Sequence, residues 1–134
     1  MSKRLGESVK IVAAASPIAR TAGAVNGTVI DRLGFLDAVV HLSVGAATGT
    51  PTAQGVSLKI QTGALLDGSD MADVVGEIIP SLTANNVGAK LTLDLEPLKQ
   101  YVRVVSTVTF TGGTTPAIPV AQTVILGNPS LIPQ

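Results

Sequence analysis

The chain has 134 residues, of which 46% are apolar but only 2% aromatic (Phe35, Tyr101 and Phe110), with nine basic and nine acidic residues, one histidine and no cysteine. That length suits a single domain with a sizeable core, filled by Val, Leu, Ile and Ala rather than by rings. Balanced charge gives no basic field for nucleic acid or an anionic membrane, missing cysteine excludes disulfides and thiolate sites, scarce rings argue against stacked base or sugar ligands, and no apolar run is long enough to span a membrane.

The start, MSKRLGESVKIVAAASPIA, superficially resembles an export signal, but its apolar run is short and Glu7 and Lys10 interrupt the lead-in, so export is rejected and assembly in a reducing cytoplasm is expected. Residues 1–24 read as an N-terminal arm or edge strand, with the run from Val9 to Ala15 ending at Ser16-Pro17, where proline removes a donor. Asn26-Gly27 is a turn signal, and Thr28, Val29 and Ile30 form a short strand after it. Residues 35–44 (FLDAVVHLSV) alternate, with Leu36, Ala38, Val40, Leu42 and Val44 on one face and Asp37, Val39, His41 and Ser43 on the other.

The uncharged loop 45–55 (GAATGTPTAQG) leads to a strand with Val56, Leu58 and Ile60 inward, and Ser57, Lys59 and Gln61 outward. These two strands are expected to form a long-looped hairpin. Asp67-Gly68-Ser69-Asp70 is a turn. After it, Met71, Val74, Val75, Ile78 and Ile79 are spaced like a helix face between a capping Asp70 and a terminating Pro80, but Gly76 and the β character of the neighbours favour a short strand. Asn85-Asn86 marks a turn, Leu91, Leu93 and Leu95 alternate as a strand, and Glu96-Pro97-Leu98 makes a corner.

Residues 101–110 (YVRVVSTVTF) form the longest β-branched run without Gly or Pro, and read as the central strand. Its continuation through loop 111–116 (TGGTTP) into residues 118–126 weakly echoes the earlier unit, again as a hairpin. Residues 25–127 thus form an all-β antiparallel sandwich, jelly-roll-like, and 128–134 a C-terminal tail carrying Leu131 and Ile132.

Little here suggests catalysis. His41 lies mid-strand without a nucleophile elbow, and a surface or interface histidine is the plainer reading than a hydrolase centre. Asp67, Asp70 and Asp73 offer hard oxygen ligands for calcium, but their spacing matches no calcium loop and an Asx-type turn explains them. Gly112-Gly113 lacks the Lys-Ser/Thr and helix of a phosphate loop. No catalytic, cofactor-binding or metal residue is assigned, no cofactor is expected, and the chain is not expected to be an enzyme. Charge is unevenly placed: residues 1–32 hold Lys3, Arg4, Lys10, Arg20 and Arg32 against Glu7 and Asp31, whereas residues 33–98 hold seven acids against Lys59 and Lys90. Copies or partners could dock through that asymmetry, or it could be a scatter of solvated charges. Mean hydropathy of +0.47 together with uncharged loops favours a surface covered by other chains.

The succession IDRLGF (residues 30–35), TGTPTA, DGSDMADV (67–74), KQYVRVV (99–105), TGGTTPA and VILG (124–127) resembles small structural proteins of tailed bacteriophages, known as head decoration, cement or minor capsid proteins. The aromatic that often follows the DGS turn in similar proteins is absent here. The resemblance implies a virion structural protein on the capsid surface, partnered by the major capsid protein and self-associated as a homotrimer, with no nucleic acid and no membrane partner. It implies contacts through residues 2–16 and 128–134, and a threefold or outward surface at the TGTPTA and TGGTTPA loops. The alternative is a tail- or fibre-associated module binding a host-surface carbohydrate or receptor.

Overall fold

The computed structural model describes residues 9–129 and contains nine strands and no helix among them. They are β1 (Lys10–Arg20), β2 (Gly23–Asn26), β3 (Ile30–Asp31), β4 (Phe35–Val44), β5 (Ala53–Gly63), β6 (Ala72–Leu82), β7 (Val87–Asp94), β8 (Tyr101–Thr111) and β9 (Ile118–Pro129). One sheet has the order β1-β9-β4-β7; the other has β2-β8-β5-β6, with β3 also on β8. All pairings are antiparallel and nested: β5 with β6, β4 with β7, β2 and β3 with β8, and β1 with β9. A long hairpin rolled up in this way is a jelly roll.

Alternation decides which face is buried. Leu42, Val40 and Ala38 of β4 meet Val120, Val124 and Leu126 of β9 on the inside of the first sheet, and Val56, Leu58 and Ile60 of β5 join Val102, Val104 and Val108 of β8 on the inside of the second. These side chains form one core between two layers. Full burial of a Val, Leu or Ile contributes about 1.5–3 kcal/mol, so aliphatic area substitutes for the missing rings.

Four expectations need correction. The β4–β5 and β8–β9 connections are not hairpins, because in each case the chain crosses from one sheet to the other. Alternation along a strand is identical whether the next strand lies beside it or across the core, so it could not separate the two. Asn26-Gly27 does not reverse the chain: β2 and β3 both run along β8, and the Gly27 amide donates to Val104 O at 2.7 Å. Residues 27–29 are an irregularity within one line, and the strand placed at 28–30 is instead β3, Ile30–Asp31. Nor does Ser16-Pro17 end the first strand. β1 continues to Arg20, with register shifts between Ala13 and Ala15 and between Ala15 and Ile18, and an edge strand tolerates proline.

Residues 71–79 are β, as Gly76 suggested. Lys59 pairs with Ile78 and Gln61 with Asp73, leaving residues 74–77 opposite Ile60 alone. Gly76 sits at φ 85° in this bulge, a conformation open to glycine, and Val75 is turned out with 96% of its surface exposed. A bulge of this kind blunts an edge against pairing with another chain.

Candidate functional site

The strands sort the loops into two ends of contrasting chemistry. At one end β4 passes into β5 and β8 into β9, and the two Thr/Gly/Pro loops are bound to each other. The Thr48 amide donates to Ala117 O at 2.8 Å, that of Thr114 to Gly49 O at 2.8 Å, and that of Thr52 to Thr111 O at 2.7 Å. Asn85, from the β6–β7 turn, secures the cluster by accepting from the Ala47 amide at 3.0 Å and from Gln54 Nε2 at 2.7 Å. Residues 45–53, 83–86 and 111–117 carry no charge.

Both loops share a strained feature: Thr50 and Thr115 each precede a proline and each has positive φ, 50° and 42°. A β-branched residue there costs on the order of 1–3 kcal/mol. Gly49 allows the loops to meet, because a Cβ on it would lie 2.5 Å from Thr114 O. The sequence echo noted between the loops is therefore a physical contact.

The opposite end is charged and leucine-tipped. Arg32 donates from Nη2 to Leu98 O and from Nε to Lys99 O at 3.1 Å, joining the β3–β4 and β7–β8 loops. Asp70 closes the β5–β6 turn by accepting the Ala64 and Leu65 amides at 2.8 and 3.2 Å. The Ala64 amide, foremost, holds its carboxyl below the usual range, aided by the Leu65 amide and the charge of Lys99. Leu33, Leu65 and Leu66 are exposed in these loops. Phe35 pairs with Pro129 and Lys10 with Leu126, so β1 begins and β9 ends at this end; the contacts expected in residues 2–8 and 130–134 lie outside the described residues.

The carboxylates once considered for calcium are each held by other donors. The Ser69 amide donates to Asp67 at 2.9 Å and lowers its pKa. Asp73 takes Gln61 Nε2 at 2.8 Å and an ion pair from Lys59 at 3.1 Å, and the Gln61 bond is the larger cause of its lowered pKa. Among the described residues no three His, Asp or Glu side chains gather as a metal cluster. His41 is exposed on the outer face of the first sheet, level with Lys90 and Thr123. Neither neighbour is an acid or a nucleophile partner for it.

That outer face also holds an open groove of about 380 Å³ lined by Val9, Asp37, Ala38, Val39, Ile125, Gly127 and Asn128. Ile11, 67% exposed, extends its apolar floor toward the β1 edge, level with Ile125. Sequence reading missed this site. Val39 and Ile125 fall on outward positions of their strands, which is a signal, but only the β4–β9 register brings them together.

The fold has relatives among solved structures. A chain of the T13 viral particle of infectious bursal disease virus aligns over 90% of this chain and 31% of its own, with TM-score 0.58 and 11% identity. The PBSX exported protein XepA aligns over all of this chain and 42% of its own, with TM-score 0.56 and 15% identity. The likeness is one of fold. The SPBc2 prophage-derived protein YomS is also similar, at TM-score 0.48 and 12% identity over 89% of this chain and 93% of its own. The chain spans well under half the length of the first two. No protein-family model matches the sequence, and no curated protein does.

Proposed function

We propose that this chain is a structural protein of a bacteriophage virion that binds the outside of the capsid as a decoration or cement protein, self-associating as a homotrimer on the major capsid protein. The observation that carries the reading is the division of the jelly roll into two ends. The segments 2–16 and 128–134, which the resemblance implies as capsid contacts, have their described parts at the charged, leucine-tipped end, where β1 begins and β9 ends, whereas the two Thr/Gly/Pro loops implied as the outward or threefold surface form one neutral cluster at the other.

A rigid domain so divided can hold a lattice with one end and present the other. Strained Thr50 and Thr115 fit such a surface, since strain persists where a site requires it. Similarity in fold to a chain of a viral particle supports the same reading. A cement protein needs no catalytic centre. It binds the assembled lattice in preference to free subunits and stabilises the shell by mass action, through modest contacts repeated many times.

The test is the mass of the purified chain in solution, followed by cosedimentation with emptied phage heads. A trimer that pellets saturably with heads is the expected result. A monomer that stays in the supernatant would refute the reading.

A further inference from the structure

Val9 already lies on the groove of the first sheet. Its side chain stands over Gly127 of β9, where an added Cβ would be 3.6 Å from Val9 Cγ1. One step along, Ile11, Ile125 and Val39 make an apolar row across β1, β9 and β4, with Ile11 67% exposed. Next to that row stand two acids. Asp37 of β4 and Asp94 of β7 are direct cross-strand partners and both are exposed. Side chains so opposed lie about 4.5–5.5 Å apart at Cβ, and like charges there repel. Among the described residues neither carboxylate has a cation: Asp37 accepts Asn128 Nδ2 at 3.0 Å and Asp94 accepts the Glu96 amide at 3.1 Å.

An aliphatic floor beside two acids without a cation fits a segment that carries aliphatic and basic side chains close together. The eight residues before Val9, MSKRLGES, hold Lys3, Arg4 and Leu5 in succession. We infer that residues 1–8 fold back over the outer face of their own first sheet, with Leu5 on the Val39–Ile125 floor and Lys3 and Arg4 against Asp37 and Asp94.

The lengths agree. Val39 lies two strands and two residues from Val9, about 12 Å at the usual spacings, and the four extended residues from Val9 to Leu5 span about 13 Å. β7 is three strands from β1, about 14 Å, within reach of Arg4 and Lys3 at about 16 and 20 Å of extended chain. Glu7, about 7 Å from Val9, stays over β9 and short of the acids. Attachment favours this leader over that of another molecule, because a tethered segment acts at a millimolar effective concentration, about a thousandfold above a partner present at micromolar.

This docking is a property of the free chain and does not depend on head binding, so its failure leaves the proposed function standing. The test uses the full chain, which has no cysteine of its own, carrying a nitroxide on Ser2→Cys, with amide line broadening read by NMR. Val39 and residues 90–94 should broaden, while Ser57 and Lys59, on the outer face of the other sheet, stay sharp. Lys3→Glu/Arg4→Glu should abolish most of that broadening, and adding Asp37→Lys/Asp94→Lys to it should restore the effect, because the charges are then exchanged. Asp37→Asn/Asp94→Asn, a milder change, should weaken it. Nitroxide-bearing chain without isotope, mixed with isotope-labelled chain without nitroxide, should broaden nothing. Broadening that is absent or equal on both sheets, that survives the Glu variant, that fails to return in the exchanged variant, or that is as strong in the mixture, which would mean a second copy's leader, would each overturn the inference.

Discussion

Gln122 offers a direct test of how the core is built. It lies on β9 between Ala15 and Leu42, is 1% exposed, and neither its Nε2 nor its Oε1 has a hydrogen-bond partner among the described residues. Each buried unpaired polar atom costs about 1–3 kcal/mol, and two such atoms share this side chain. Gln122→Met keeps the length and flexibility of the side chain and removes both atoms, so it should stabilise the fold by about 2 kcal/mol or more. For a chain of this size that is a rise in Tm of roughly 6–10 °C. Gln122→Ala, which removes the same atoms but leaves a void, should gain less or lose stability. Urea unfolding and calorimetry of the three proteins measure this. A Met variant less stable than the wild type, with unchanged m-value, would show that the amide is satisfied in solution and that the reasoning is wrong.

Gly49→Ala should destabilise by more than about 2 kcal/mol, since a Cβ there meets backbone at 2.5 Å as well as positive φ, whereas Gly76→Ala, with nothing within 4 Å of its Cβ, should cost only about 1 kcal/mol for its φ; chemical denaturation of the pair checks the difference. Leu42→Ala, at a position with no exposed surface, should cost about 2–5 kcal/mol, while Val75→Ser on the β6 bulge should stay within about 0.5 kcal/mol. Asp70 has its pKa lowered from the ordinary 3.8 by the Ala64 amide first. A carboxyl depressed in the folded state contributes stability above its unfolded pKa, and loses it as pH falls through the folded value. Stability should therefore decline below about pH 4, with a smaller decline in Asp70→Asn; equal pH profiles for the two proteins would contradict this, as would unchanged exchange of the Ala64 and Leu65 amides.

Much of the fold was legible because it depends on alternation. The inward faces of β4 and β5 could be read residue by residue, and the β character of residues 71–79 was legible too, where Gly76 outweighed a helical spacing of Val and Ile. The turns were read with mixed success. Asp67-Gly68-Ser69-Asp70 was identified because its carboxylates bond amides within six residues in sequence, which local chemistry announces. Asn26-Gly27 misled because β8, some eighty residues away in sequence, supplies the partner for the Gly27 amide and keeps the chain straight. The two Thr/Gly/Pro loops were recognised as alike, but their contact through Gly49 and Thr114 was not.

The sequence alone determined that this chain is all-β, with an aliphatic core, neutral loops and a basic leader, because period and composition are properties of the single chain and need no partner. Tertiary structure decided which strand lies beside which. Pairing joins residues distant in sequence, such as Asp37 with Asp94 and Val39 with Ile125, and those choices, not the alternation itself, bring two acids side by side and make the floor of a groove. The physical reason is that a strand's inward face is satisfied equally well by several neighbours. Only the closing of both sheets around one core selects among them, and the outer face then inherits whatever that selection brings together.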